Sequence, residues 1–169
     1  MQPLDSLNAL SPEGFASAVQ PLFEAAAPLA TALYAERPFT SYAALIEAAE
    51  RLTLAMSFAD QVAVLSAHPP IGANAATVSQ ASYREQGYDR EAGMDPAALA
   101  AVYAELAELN HVYEQRFGFR FVVFVNKRSK AEILSVLKDR LNNPPAKELR
   151  GVIEAMFQIA RDRLSAQQH

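Results

Sequence analysis

Apolar residues recur at spacings of three and four through most of the chain, and this pattern predicts one helix after another with almost no room for a sheet. Ser11-Pro12-Glu13 is a helix start, with serine as cap, proline in the first turn and an acid where the helix dipole favours it; a short helix runs to about Gln20. From Leu22 to Glu36 alanine dominates and Leu29, Leu33 and Tyr34 share a face, with Pro28 splitting or beginning the segment and Arg37-Pro38 ending it. Thr40-Ser41 caps a helix whose core face is Leu45, Ala48, Leu52 and Met56. Ser57 and Asp60 resemble a capping box, opening a helix through Val62, Val64 and Leu65 that delivers His68 at its end.

The pattern then breaks. Residues 72–93 are the most polar of the chain, and within them Ser79 to Gly87 reads as a short helix stopped by glycine. Asp95-Pro96 starts a long helix with Leu99, Val102, Leu106, Leu109, Tyr113 and Phe117 in register, ending at Gly118. His111 falls two positions from both Leu109 and Tyr113 and is read as exposed or at a helix edge rather than catalytic. Phe119-Arg120-Phe121-Val122-Val123-Phe124-Val125 has strand propensity, but a lone strand has nothing to pair with. It is therefore read as a buried extended connection whose backbone groups need partners in side chains, helices or a ligand. Ser129 caps a helix carrying Ile133, Leu134, Leu137 and Leu141, stopped by Asn142-Asn143-Pro144-Pro145. The last helix, about Ala146 to Ala166, has an apolar stripe of Leu149, Val152, Ile153, Met156, Ile159, Ala160 and Leu164, with Arg161 and Arg163 on neighbouring faces. The expected fold is all-α: about eight helices in a single domain over 1–169, with one extended segment near 119–125.

Composition narrows the chemistry. A net charge of −4 with no basic run argues against a nucleic-acid partner. There is no cysteine for a disulfide, a thiolate nucleophile or a cysteine metal site, and the histidines, His68, His111 and His169, are too widely separated to suggest a metal centre. No apolar run approaches bilayer length, and Met1-Gln2-Pro3-Leu4-Asp5 lacks the basic and apolar regions of a signal peptide, so a cytoplasmic protein without membrane or metal partners is expected.

One stretch stands out as chemistry. In Ala67-His68-Pro69-Pro70-Ile71-Gly72 both prolines fix φ and lack an N–H, and the residue before a proline is pushed out of the helical region. The loop is therefore stiff, and it presents the side chain best suited to moving protons near neutral pH. A lone histidine at a helix end is more often a cap or a packing residue. Within the polar segment, Ser82, Glu85 and Gln86 at spacings of three and four put a hydroxyl, a carboxylate and an amide on one helical face, or form an ordinary solvated face.

Taken together, Arg37-Pro38-Phe39 with Ser41, His68-Pro69 with Ile71-Gly72, Ser82 with Glu85-Gln86, Leu109-Asn110, Tyr113, Phe117-Gly118-Phe119 with Phe121-Val122-Val123, and Ile159-Ala160-Arg161 reaching Arg163-Leu164 make a specific order and spacing. On these residues the chain resembles the 2-oxo-4-hydroxy-4-carboxy-5-ureidoimidazoline (OHCU) decarboxylase family, whose members act in the conversion of urate to allantoin. It departs from the usual pattern at Pro70 and at Gly87-Tyr88-Asp89. The resemblance implies an all-helical, cofactor-free and metal-free decarboxylase, commonly a homodimer, acting on a small ureidoimidazoline. By matching position it implies His68 as general acid/base and Glu85 as its carboxylate partner. Ser82 and Gln86 would hold the ureido and ring amides, and Pro69 would wall the ring. Backbone groups across Phe119, Phe121, Val122 and Val123 would read the amides, and Arg163 or Arg161 would take a carboxylate or carbonyl. Two other readings are open to the residues alone: a helical protein-interaction module without catalysis, and a related decarboxylase or hydrolase for another ureido compound.

Overall fold

The computed structural model describes residues 1–24, 27–91 and 93–167. Among them are nine α-helices and a single 3₁₀ turn (Tyr88–Arg90), with no strand. The helices are α1 (Leu4–Asn8), α2 (Pro12–Phe23), α3 (Ala27–Ala35), α4 (Tyr42–Ala55), α5 (Phe58–Ser66), α6 (Gln80–Glu85), α7 (Pro96–Phe117), α8 (Lys130–Arg140) and α9 (Pro145–Ala166). The all-α expectation holds, with one helix more than the pattern predicted. That helix, α1, is too short to show a hydrophobic period. The alanine-rich stretch expected from Leu22 to Glu36 is divided between α2 and α3, positions 25 and 26 lying outside the described residues.

The chain forms two compact units. One is Met1–His68 with the chain from Ile153 on, and the other is Pro69–Val152. In the first, Ser11 caps α2 by accepting from the Gly14 N–H at 3.2 Å, and Ser41 caps α4 by accepting from Ala44 at 2.9 Å. Phe15, Leu22, Phe23, Leu29, Leu33, Leu45, Leu65, Met156 and Phe157 are among its fully buried large side chains. The buried face of α4 is Leu45, Ile46, Ala49 and Thr53, so its centre lies one residue later than the spacing suggested; Ala48, Leu52 and Met56 flank it, half-buried. Arg37 explains the short α1. Its guanidinium donates to Asn8 O (2.7 Å), Leu10 O (3.0 Å) and Tyr34 O (2.9 Å) and lies 3.4 Å from the centroid of the Tyr34 ring. Asn8 in turn exchanges two 2.9 Å hydrogen bonds with the Phe39 backbone.

In the second unit, α7 ends at Gly118 and the chain runs extended and largely buried to Val125 before a capping box at Ser129 and Glu132 opens α8. Without a neighbouring strand, the carbonyls of this segment turn to arginines. Arg140 donates to Val122 O at 3.1 Å, and Arg128 donates to Val125 O at 3.0 Å and to Phe124 O. Tyr113, Phe117, Phe119 and Phe121 pack around the start of the segment with centroids 4.7–6.0 Å apart. Behind them Glu148, 1% exposed, accepts from Arg140 Nε (2.6 Å), Asn143 Nδ2 (2.8 Å) and the Tyr113 hydroxyl.

A buried carboxylate so placed is tolerated because its charge is paired and its lone pairs are filled; removing it leaves the Arg140 guanidinium poorly compensated. Glu148→Ala is expected to lower unfolding free energy in urea by about 3–5 kcal/mol. Removing the exposed partner of Lys138 by Glu105→Ala should change it by less than about 1 kcal/mol. Equal, small losses would mean that the buried network adds little.

Candidate active site

Helix α5 exists to end where it does. Ser57 accepts from the Asp60 N–H at 3.2 Å at its start, Gln61, Val64 and Leu65 are buried on its inner face, and two prolines follow its last turn. His68 is carried just beyond, its N–H bonded to Leu65 O at 3.2 Å and its side chain only 4% exposed. It closes the first unit and Pro69 opens the second. Arg163 also belongs to the first unit. It is 5% exposed and donates to Glu24 Oε1 at 2.8 Å and to Pro21 O at 3.2 Å, joining the end of α9 to the end of α2. Arg161, two residues earlier, is exposed and paired with Glu50.

The second unit brings the loop after His68 and the polar helix together. Gln86, at the C-cap of α6, accepts the Gly72 N–H on Oε1 at 2.9 Å and donates from Nε2 to Pro70 O at 3.3 Å. Asn110 of α7 donates to Ile71 O at 2.9 Å, and the Tyr88 hydroxyl reaches Ala73 O and, at 3.1 Å, Gln86 Oε1. Gly72 has φ +77°, and a Cβ there would meet Leu106 Cδ1 and Tyr103 Cδ1 at 3.3 Å, so both conformation and crowding call for glycine. Ser79 caps α6 by accepting from the Ser82 N–H at 3.1 Å and also donates its hydroxyl to Ser82 Oγ at 3.1 Å. Ser82 is 3% exposed and Gln86 8%, whereas Glu85 is half-buried; Ser82 and Glu85 lie on the short helix and Gln86 caps its C-terminal end. Phe119, Phe121, Val122 and Val123 are buried in the extended segment of the same unit. His111 is exposed, as expected. Among the described residues no three His, Asp or Glu side chains stand together as a metal site, and no helix is long and apolar enough to cross a membrane.

The family model for OHCU decarboxylase matches residues 8–165. The chain belongs to the OHCU decarboxylase family. The 2-oxo-4-hydroxy-4-carboxy-5-ureidoimidazoline decarboxylase of Amia calva is 29% identical over 158 residues, covering 94% of this chain and 90% of the relative. The enzyme of the same name from Halalkalicoccus jeotgali is 29% identical over 161 residues, covering 95% of this chain and 89% of the relative. A crystal structure of OHCU decarboxylase in the presence of (S)-allantoin matches with a TM-score of 0.68 and 26% identity, over 94% of this chain and 98% of that one.

In this OHCU decarboxylase family member, sequence reasoning passed over a second buried cluster beside α6. Lys130, 5% exposed, donates to the Gln86 backbone carbonyl and to Glu91 Oε1, both at 2.7 Å. Its ammonium lies 4.0 Å from the centroid of the Tyr88 ring and 5.3 Å from that of Tyr103, whose hydroxyl donates to Glu91 at 2.8 Å. Burial holds the Lys130 ammonium below the usual lysine range, with Glu91 opposing that effect. The signal was available: Lys130 precedes Ile133 and Leu134 by three and four, which puts it on the apolar face of α8.

Burial pushes the Tyr88 hydroxyl up from 10.0 to about 12, helped by Glu91. Tyr103, Tyr113 and Tyr42 are raised as well, burial being the largest cause in each. A group whose folded pKa is raised stabilises fully below its unfolded value and loses that contribution as pH climbs through the folded one. For Tyr88 the window runs from 10.0 to about 12. An alkaline titration followed by tyrosinate absorbance should therefore show these four of the six tyrosines ionising late, together with loss of helical circular dichroism. In concentrated urea these four should titrate as free tyrosine, and four ordinary titrations in the folded protein would contradict the described burial.

Proposed function

We propose that this protein decarboxylates OHCU to (S)-allantoin, without a cofactor, using His68 as the group that moves protons. The observation that carries the reading is membership of the OHCU decarboxylase family across residues 8–165, with His68-Pro69, Ser82 and Glu85-Gln86 all present in the chain. The substrate supplies its own electron sink. Loss of carbon dioxide from C4 sends the bonding pair toward the neighbouring C5=N bond, so the protein has to hold the ring, accept the 4-hydroxyl proton and deliver a proton to one face of C5. One-sided delivery is what makes a single enantiomer.

His68 is the proposed general acid/base, and Glu85 the carboxylate that orients substrate or imidazole and tunes its charge. Ser82 and Gln86 are proposed to meet the ureido and ring amides, Pro69 to wall the ring, and the backbone of residues 119–123 to read its N–H and C=O groups. A guanidinium matches carboxylate and carbonyl acceptors in a fork, and we assign that contact to Arg163, which is buried, rather than to Arg161, which is exposed and paired with Glu50. Residues 1–169 would act as one functional domain, as a cytoplasmic homodimer. Light scattering tests the dimer.

The functional test generates the unstable substrate in place from urate with urate oxidase and hydroxyisourate hydrolase, then follows the optical activity of allantoin. Spontaneous decay is racemic, so growth of the S signal reports catalysis. His68→Ala is expected to fold and to lose about 10²–10⁴-fold in rate, and Glu85→Gln at least about tenfold, each with parental helical circular dichroism. Variants that turn over like the parent would overturn the assignment of the site, and a folded parent giving racemic allantoin would overturn the reaction.

A further inference from the structure

The loop Pro70–Ala73 has neither helix nor sheet to satisfy its backbone, yet side chains hold it at four successive residues. Gln86 takes Pro70 O and the Gly72 N–H, Asn110 takes Ile71 O, and Tyr88 takes Ala73 O. Gln86 is thus the hinge of the arrangement, and its own backbone is fixed by Lys130, whose ammonium donates to Gln86 O at 2.7 Å. Glu91 neutralises that ammonium, and the rings of Tyr88 and Tyr103 lie against it. Tyr83, Tyr88 and Tyr103 continue as a stack with centroids 5.3 and 6.3 Å apart. Helix α6 has six residues, too few to be stable by itself, so its end is defined by these contacts rather than by its own hydrogen bonds.

A buried ammonium is a costly way to fill space, since an apolar side chain would pack there without a desolvation penalty. What a methionine could not do is grip one carbonyl from a fixed direction. We infer that Lys130 and Tyr88 are positioning residues for catalysis: they lock the end of α6 to the Pro70–Ala73 loop, and so set Ser82, Glu85 and Gln86 against Pro69. This rests on the functional reading given above. Neither residue needs to touch the substrate. Their effect passes through Gln86, on its backbone from Lys130 and on its amide from Tyr88.

The test compares Tyr88→Phe, Lys130→Met and, as a control on the exposed side of the same helix, Lys138→Met. Tyr88→Phe keeps the stacked ring and removes only the hydroxyl, so it folds even where Lys130→Met does not. The expected result is a fall of about tenfold in kcat for both variants with KM within about twofold, because the geometry of reacting groups is disturbed while the surface for binding remains. Hydrogen exchange at the Gly72 and Ala73 amides should quicken by about tenfold or more, with α8 amides unchanged and Lys138→Met like the parent. Parental kcat with unchanged loop exchange would overturn the inference. So would exchange raised equally throughout the unit, which means general destabilisation. A parent that makes no (S)-allantoin would instead bring down the functional reading and the catalytic consequence with it, and loop exchange in Tyr88→Phe would still uphold or overturn the clamp itself.

Discussion

Every backbone N–H and C=O removed from water needs a partner, and two stretches of this protein lie outside helix and sheet. The loop at 70–73 and the extended segment at 119–125 are both held by side chains: Gln86, Tyr88 and Asn110 on the first, Arg128 and Arg140 on the second. Those side chains must themselves be fixed, which brings in the buried charges. Arg140 is anchored by Glu148, and the Gln86 backbone by Lys130 with its counter-ion Glu91. The helices of the second unit therefore act as a frame for irregular backbone, and the interactions that would be liabilities in a purely apolar core are the ones that give that backbone a single conformation.

The first unit solves a similar problem at helix ends. Arg37 binds three carbonyls around α1 and α3, and Arg163 binds Pro21 O and Glu24 where α2 stops. Guanidinium serves in both places because its planar fork spans several acceptors at once and stays charged when enclosed. Arg163 thus has a structural duty beside the substrate contact proposed for it. That duty suits the proposal: an arginine already fixed in one rotamer loses less entropy on meeting an anion than a free surface arginine would.

The helices were legible because their apolar period and their caps, at Ser11, Ser41, Ser57, Ser79, Asp95 and Ser129, are local signals. The extended segment is legible for the opposite reason, being the one β-prone run in a sequence of helical patterns. The buried face of α4 lies one residue from the stripe that spacing alone picks out, because alanines occupy both candidate stripes. The buried polar network was not read, although its members share a mark: Lys130, Glu148 and Arg163 each occupy a position on an apolar stripe. A charge at such a position implies a partner that only the tertiary structure can name. His68 was found from its stiff loop, but nothing local shows that Gln86, fourteen residues after Gly72, is what holds that loop.

As proposed above, Pro69, Ser82, Gln86 and the backbone of residues 119–123 meet a flat, amide-rich molecule of a single hand. The most direct measurement is an amide chemical-shift titration of the folded protein with (S)-allantoin and, separately, with (R)-allantoin. Saturable shifts are expected at Ile71, Gly72, Ala73, Ser82, Glu85, Gln86 and Phe119 to Val123 with the S enantiomer, and far weaker ones with the R. Equal responses to both enantiomers, or shifts confined to other parts of the chain, would contradict that proposal.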